Sequence, residues 1–196
     1  QPIADRVDLP DRNDQDTDAM RALLESVDSL GSFATLLSED PAPGAEDLPD
    51  FGAAQGDLSM PVLGALLRRF NETDAAGIAR PGILMAVAPR ALLPAPWPAS
   101  IRYSGPLLDY GNVIIVEPDA DYLLILAGIG DVFVTAGELV PTGAALGLMP
   151  GEMPGDGTDL IVSDADGSGA GLTETLYIEI RQDGRPVNPL DWFTRN

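Results

Sequence analysis

Nearly all the side chains in this chain that could move a proton near neutrality are carboxylates. Thirty-one Asp and Glu stand against eleven cations, all of them Arg, with no His, no Cys and no Lys. Without Cys there is no disulfide, thiolate nucleophile or thiolate metal site, and cysteine usage leaves the redox compartment open. Without His the commonest metal ligand and the commonest general base are missing. Without Lys there is no Schiff base and no attachment point for biotin or lipoate. The carboxylates that remain as candidates are Asp109, Glu117, Asp119, Asp121, Glu174 and Glu179. A hydrolase built on two carboxylates needs them facing each other across the scissile bond. These fall on different predicted strands, and no spacing marks a pair. The run Asp164-Ala-Asp-Gly-Ser-Gly169 echoes a calcium loop. It lacks the closing glutamate and flanking helices, so a solvated acidic loop is expected there. The expectation is a protein that is not an enzyme and carries no cofactor.

The elements that would position these residues are mostly strands. Short apolar runs at Val62–Phe70, Gly82–Val87, Ser100–Tyr103, Asn112–Glu117, Tyr122–Ala127, Val132–Val134, Ala144–Met149 and Leu176–Arg181 alternate with Gly and Pro. That pattern predicts a mainly β barrel or sandwich. In the last run, Leu176, Ile178 and Ile180 alternate with Thr175, Tyr177, Glu179 and Arg181, which predicts one face in a core and one facing outward. Asp183-Gly184 between extended segments predicts a two-residue hairpin. Pro150–Leu172 reads as a long polar loop.

Upstream the pattern is different. Residues 1–16 are acidic and aperiodic, and disorder is expected. Met20, Leu23, Val27, Leu30, Ala34 and Leu37 recur at spacings of three and four, the seam of a coiled coil or of a docked helix over residues 17–39. Leu24, Phe33 and Leu36 widen the stripe, and Pro41 ends it. Residues 40–57 read as a linker on composition, leaving a domain over 58–196. The net charge of −20 argues against nucleic acid. No apolar run approaches the ~20 residues of a membrane span.

Three segments between Pro61 and Phe193 stand out together: Tyr110-Gly-Asn-Val-Ile-Ile-Val-Glu117, Val134-Thr-Ala-Gly-Glu-Leu-Val-Pro-Thr-Gly-Ala-Ala-Leu-Gly147, and Leu176-Tyr-Ile-Glu-Ile-Arg-Gln-Asp-Gly-Arg-Pro-Val-Asn-Pro-Leu-Asp-Trp192. In this order they resemble the LytM (lysostaphin-like) zinc endopeptidase family, and within it the inactive branch of EnvC-type murein hydrolase activators. The resemblance implies a duplicated-hybrid-motif-like β fold preceded by an N-terminal helix. It also implies that the zinc ligands are gone. Arg80 and Leu84 stand at the His and Asp of HxGxD, Gly128 at the histidine of YxHL, and Thr175 and Tyr177 at the histidines of HxHFE, whose glutamate is Glu179. A catalytic zinc needs about three protein donors and an open position, and these positions no longer supply them.

What remains of such a site is a groove able to accept a polypeptide. By the same resemblance, Arg80, Tyr110, Val113, Leu126, Tyr177 and Arg181 are expected to line it. Tyr and Arg are favoured where binding energy concentrates. The resemblance implies a non-catalytic activator of periplasmic N-acetylmuramoyl-L-alanine amidases in cell division, coupled to the FtsEX complex through an N-terminal coiled coil. The helix over 17–38 is expected to act as an arm packed across or near the groove. The alternative expectation is a peptidoglycan-binding module that has lost cleavage.

Overall fold

The computed structural model of the chain describes residues 29–152 and 171–194. Its centre is a pair of strands, β5 (Asn112–Asp119) and β6 (Tyr122–Ile129), joined by a tight turn. Their runs Val113-Ile-Ile-Val116 and Leu123-Leu-Ile-Leu126 are apolar on both faces, as strands covered on both sides must be. Around them lie β1 (Gly64–Arg68), β2 (Ile83–Val87), β4 (Ala99–Pro106), β8 (Leu139–Val140), β10 (Glu174–Gln182) and β11 (Arg185–Val187). The resulting sheet has the order β1-β2-β10-β6-β5-β4-β8, with β11 paired to β10. A smaller sheet, of order β3-β9-β7, contains β3 (Leu92–Pro94), β9 (Ala145–Leu148) and β7 (Asp131–Val132). The mainly β expectation holds. The sequence gives no warning of β3, a three-residue strand among prolines that is too short to alternate.

The Asp183-Gly184 turn forms as expected. Both residues have positive φ, 50° and 71°, and Gln182 pairs with Arg185 across them. The pleat of β10 then sets its two faces. Leu176, Ile178 and Ile180 join Ile83, Ile114, Leu124 and Leu146 in the main core. The other face carries Tyr177, Glu179 and Arg181. It does not look outward, as the alternation alone predicts, because these residues are only 9%, 1% and 6% exposed.

A helix covers them. α1 (Leu30–Ser38) begins at Ser29, whose extended backbone and side-chain oxygen cap the Ser32 amide at 3.1 Å. The expected helix over 17–39 therefore does not run unbroken through Ser29, and residues 1–28 lie outside the described residues. Nine residues with a glycine near the start are marginal as a helix in water, so α1 owes its stability to docking. Leu30, Phe33, Ala34 and Leu37 are buried against Tyr103, Val113, Ile115, Leu123, Ile125 and Ala127. Each of the larger side chains gains about 1.5–3 kcal/mol from such burial. Three of the seam positions, Leu30, Ala34 and Leu37, thus meet the sheet of their own chain.

Residues 40–57, expected to be a linker, are packed. Ala45 and Phe51 are fully buried and Ala54 nearly so. Phe51 stacks on Trp192 with ring centres 4.6 Å apart, and Asp119 accepts from its amide at 3.2 Å. Trp97 donates to the Pro49 carbonyl at 3.1 Å. Prolines and glycines gave the stretch its linker composition, but they serve here to carry it round the sheet from one core to the other.

Candidate functional site

Tyr177, Glu179 and Arg181 share one face of β10 because they are two residues apart. Their side chains form a buried chain of contacts. The Tyr177 hydroxyl donates to Glu179 Oε2 at 2.8 Å, and Arg181 Nε donates to Glu179 Oε1 at 2.6 Å. Arg181 Nη1 continues to the Gly184 carbonyl at 3.0 Å and to Thr35 Oγ1 of α1 at 3.1 Å. Gly31 belongs to the same contact, since a Cβ there would lie 3.2 Å from Arg181 Nη2. Burial, reinforced by the neighbouring Glu179 carboxylate, pushes the Tyr177 hydroxyl far above its ordinary range, which keeps it a neutral donor. Each carboxylate oxygen of Glu179 thus already accepts a hydrogen bond, one from a hydroxyl and one from a guanidinium.

A second buried pair fastens the chain where it leaves α1. Arg102 is the extra residue of a bulge between Ile101 and Tyr103, which aims its side chain at Glu117. Glu117 also accepts from the Ala42 amide at 3.0 Å, and Arg102 donates to the Asp40 carbonyl at 2.6 Å. Burial raises the Glu117 carboxyl above its usual range, outweighing the opposing pull of Arg102. Glu117 is among the carboxylates the sequence nominates for chemistry. Its role is to hold backbone. Arg102 was not foreseen, because a bulge has no signature in this sequence.

The positions that the resemblance assigns to zinc are partly brought together. Tyr177 pairs with Leu84 on one side and Ala127 on the other, and Thr175 lies one pleat along from it. Gly128 sits so close to Thr175 that a Cβ would lie 2.6 Å from its carbonyl oxygen. Gly82 leaves space for the Tyr177 ring, since a Cβ would lie 2.6 Å from Cζ. Leu and Gly offer no donor, and Glu179 is already engaged. Among the described residues no three Asp or Glu side chains gather where a cation could bind. These residues do not fit a zinc ion. The echo of a calcium loop at 164–169 lies outside the described residues.

The expected groove residues divide into three groups. Tyr177 and Arg181 lie beneath α1. Val113 faces the same way but is fully buried against the helix. Leu126 is a correction, because it points into the main core between the sheets and lines no groove. It is one residue off in the alternation, and the inverted pleat puts Ile125 and Ala127 on the helix side. Arg80 and Tyr110 line, with Leu108 and Asp109, a cleft of about 320 Å3, and Tyr110 also packs against the cluster that holds Tyr177.

Comparison with known proteins places this geometry. No family model matches the chain. It is 30% identical over 143 residues to the uncharacterized protein NMB1333 of Neisseria meningitidis serogroup B, covering 73% of this chain and 21% of that protein. A Haemophilus influenzae protein is 25% identical over 141 residues, covering 72% of this chain and 30% of its own length. The chain thus spans less than a third of each of these relatives. Among solved structures, a putative peptidase M23 from Pseudomonas aeruginosa superimposes with a TM-score of 0.56 at 18% identity, over 90% of this chain and 62% of that one. A zinc-containing peptidase from Vibrio cholerae gives 0.53 at 16% identity, over 72% and 41%. A chain of the complex of SpoIIIAH and SpoIIQ gives 0.53 at 19% identity, over 70% and 100%. The fold is that of the LytM/M23 peptidase domains.

Proposed function

We propose that this domain is a non-catalytic activator of peptidoglycan amidases, of the EnvC type, acting in the periplasm. The observation that carries the reading is α1 itself. The face of β10 that carries Tyr177, one of the positions the resemblance assigns to zinc, packs against a polypeptide helix that is tied to Arg181 through Thr35. A surface that takes one helix with a buried guanidinium at its centre is built to take another. In this reading an amidase segment replaces α1, meets Arg181 and Tyr177, and is thereby drawn away from the amidase's own catalytic centre. The exchange requires that the amidase segment bind the uncovered face better than α1 does. The fold and the protein partner of SpoIIQ support a binding role for such domains. In the whole protein, coupling to FtsEX would be the signal that lifts α1. No helix among the described residues is long and apolar enough to cross a membrane.

The test is release of dye-labelled peptidoglycan by partner amidases, with the wild-type chain and two variants. Thr35→Val removes the helix's hold on Arg181 without altering the sheet, and should increase activation. Ala34→Glu cannot fit against the sheet, where Ala34 is fully buried, and should increase it further. If neither variant nor the wild type affects any periplasmic amidase, the reading is wrong. Chelator-sensitive cleavage by the chain alone would overturn it from the other side. Pelleting with purified sacculi in the absence of amidase would point to the peptidoglycan-binding module instead.

A further inference from the structure

Among the described residues, the edge of the large sheet at β1 is exposed, apolar and unpaired. Its inner side pairs with β2, and among the described residues no strand lies on its outer side. Leu63 is 86% exposed and Leu67 is 52% exposed, with Leu66 also in the exposed class. Sheet proteins usually blunt such an edge with charge, proline or a bulge, because open backbone groups beside apolar side chains recruit another strand. Here the bulge and the charges come only at the end, where the register shifts between Leu66 and Arg68 and Arg69 follows. Among the described residues Leu63–Leu66 stays open ahead of the bulge at Leu67.

The surroundings say what would pair there. In a chain of net charge −20, this hairpin is locally basic. Arg68, Arg69 and Arg80 stand on it against Glu72 and Asp74, and of these arginines only Arg68 forms an ion pair among the described residues, at 3.7 Å to Asp74. We propose that the β1 edge is a docking site for an extended segment of another protein, one that alternates apolar residues along Leu63–Leu67 and carries acidic residues beside Arg68 and Arg69. Backbone pairing supplies the affinity, and the leucines and arginines the selection. A second copy of this chain is a poor occupant. Two bodies of charge −20 repel, and an antiparallel self-pair centred on Leu66 sets Arg68 and Arg69 opposite Gly64 and Leu63, where no acid meets them. The site is separate from the face under α1 and does not depend on the amidase reading.

The experiment is selection from a displayed library of random nine-residue peptides on the immobilised full chain. Amide hydrogen exchange follows, with the peptides that enrich. The expected result is enrichment of alternating apolar sequences with acidic flanks, which protect the amides of residues 63–69. The Leu63→Asp, Leu67→Asp double variant, whose altered side chains are exposed in the native fold, should bind them about tenfold or more weakly while keeping the β5–β6 amides protected. Enrichment of basic peptides, or of none that depend on Leu63 and Leu67, overturns the proposal. So does a concentration-dependent dimer in sedimentation that protects the same amides without peptide.

Discussion

Arg181 of β10 and Thr35 of α1 are joined by a hydrogen bond of 3.1 Å, the sole side-chain hydrogen bond between the helix and β10 among the described residues. On its other side Arg181 is tied to Glu179, so the guanidinium bridges a buried carboxylate and the docked helix. Apolar contacts supply most of the adhesion of α1. The Arg181 bond, with the ties of Glu117 to Ala42 and Arg102 to Asp40 just beyond it, helps fix where along the sheet the helix sits.

Removing the guanidinium should be costly. Arg181→Ala leaves Glu179 buried with only the Tyr177 hydroxyl as partner, and loss of one member of a buried pair typically costs about 3–5 kcal/mol. The expected outcome is a lower urea midpoint with an unchanged slope. Replacing both members, as Glu179→Leu with Arg181→Met, should recover most of the loss. A double variant as unstable as Arg181→Ala alone would show that the pair does not act as a unit.

The helix should detach before the sheet unfolds. Phe33 packs edge-on against Tyr103, with ring centres 5.1 Å apart. Phe33→Ala forfeits that contact and opens space worth up to about 3–5 kcal/mol in a rigid core, but an element that can lift off caps the loss at its own docking energy. Amide exchange in Leu30–Ser38 should accelerate while β5 and β6 keep their protection. Equal acceleration everywhere would mean that α1 and the sheet form one cooperative unit.

Glu117 makes a prediction about pH. Its carboxyl is raised above the unfolded value of 4.5 chiefly by burial. The folded state therefore holds the proton more tightly, and this group's contribution to stability is fully present below 4.5 and declines as pH rises through the raised value. Glu117→Gln keeps an oxygen for the Ala42 amide but does not titrate. Its stability relative to wild type should improve from pH 4.5 toward neutrality, as read from urea midpoints. A relative stability that falls over that range would mean Arg102 outweighs burial.

Gly82→Ala tests the room left for Tyr177. The added methyl would lie 2.6 Å from both the Tyr177 ring and the Ile178 carbonyl oxygen. Overpacking of this kind costs about 1–3 kcal/mol, and the ring whose hydroxyl binds Glu179 must shift. Thermal unfolding should fall by several degrees for a domain of this size, and the tyrosine absorbance should change with it. An unchanged melting temperature would show that the β2–β10 contact is looser than its geometry.

Much of the sheet was legible because strands buried on both faces leave unmistakable runs, as at Val113–Val116 and Leu123–Leu126. The hairpin at Asp183-Gly184 was legible because few residue pairs tolerate positive φ at both positions. The candidate site was legible in part: Tyr177, Glu179 and Arg181 were singled out, and their common face followed from the pleat. Leu126 was misplaced because a single register step inverts a strand, and a continuous apolar run offers no alternation to fix it. Arg102 and Thr35 were invisible. One depends on a bulge, and the other on a contact across 146 residues of sequence.

By itself the sequence determined the chemistry that this chain lacks and the strands it must form, because residue types and local periodicity act without regard to distant neighbours. Only the tertiary structure decided what lies over the polar face of β10. Alternation could say that Tyr177, Glu179 and Arg181 point one way, but whether they meet water or a helix depends on where a segment far along the chain comes to rest. It rests on them, since α1 is too short to persist unless its apolar stripe is buried, and Val113, Ile115, Leu123 and Ile125 supply the surface that buries it.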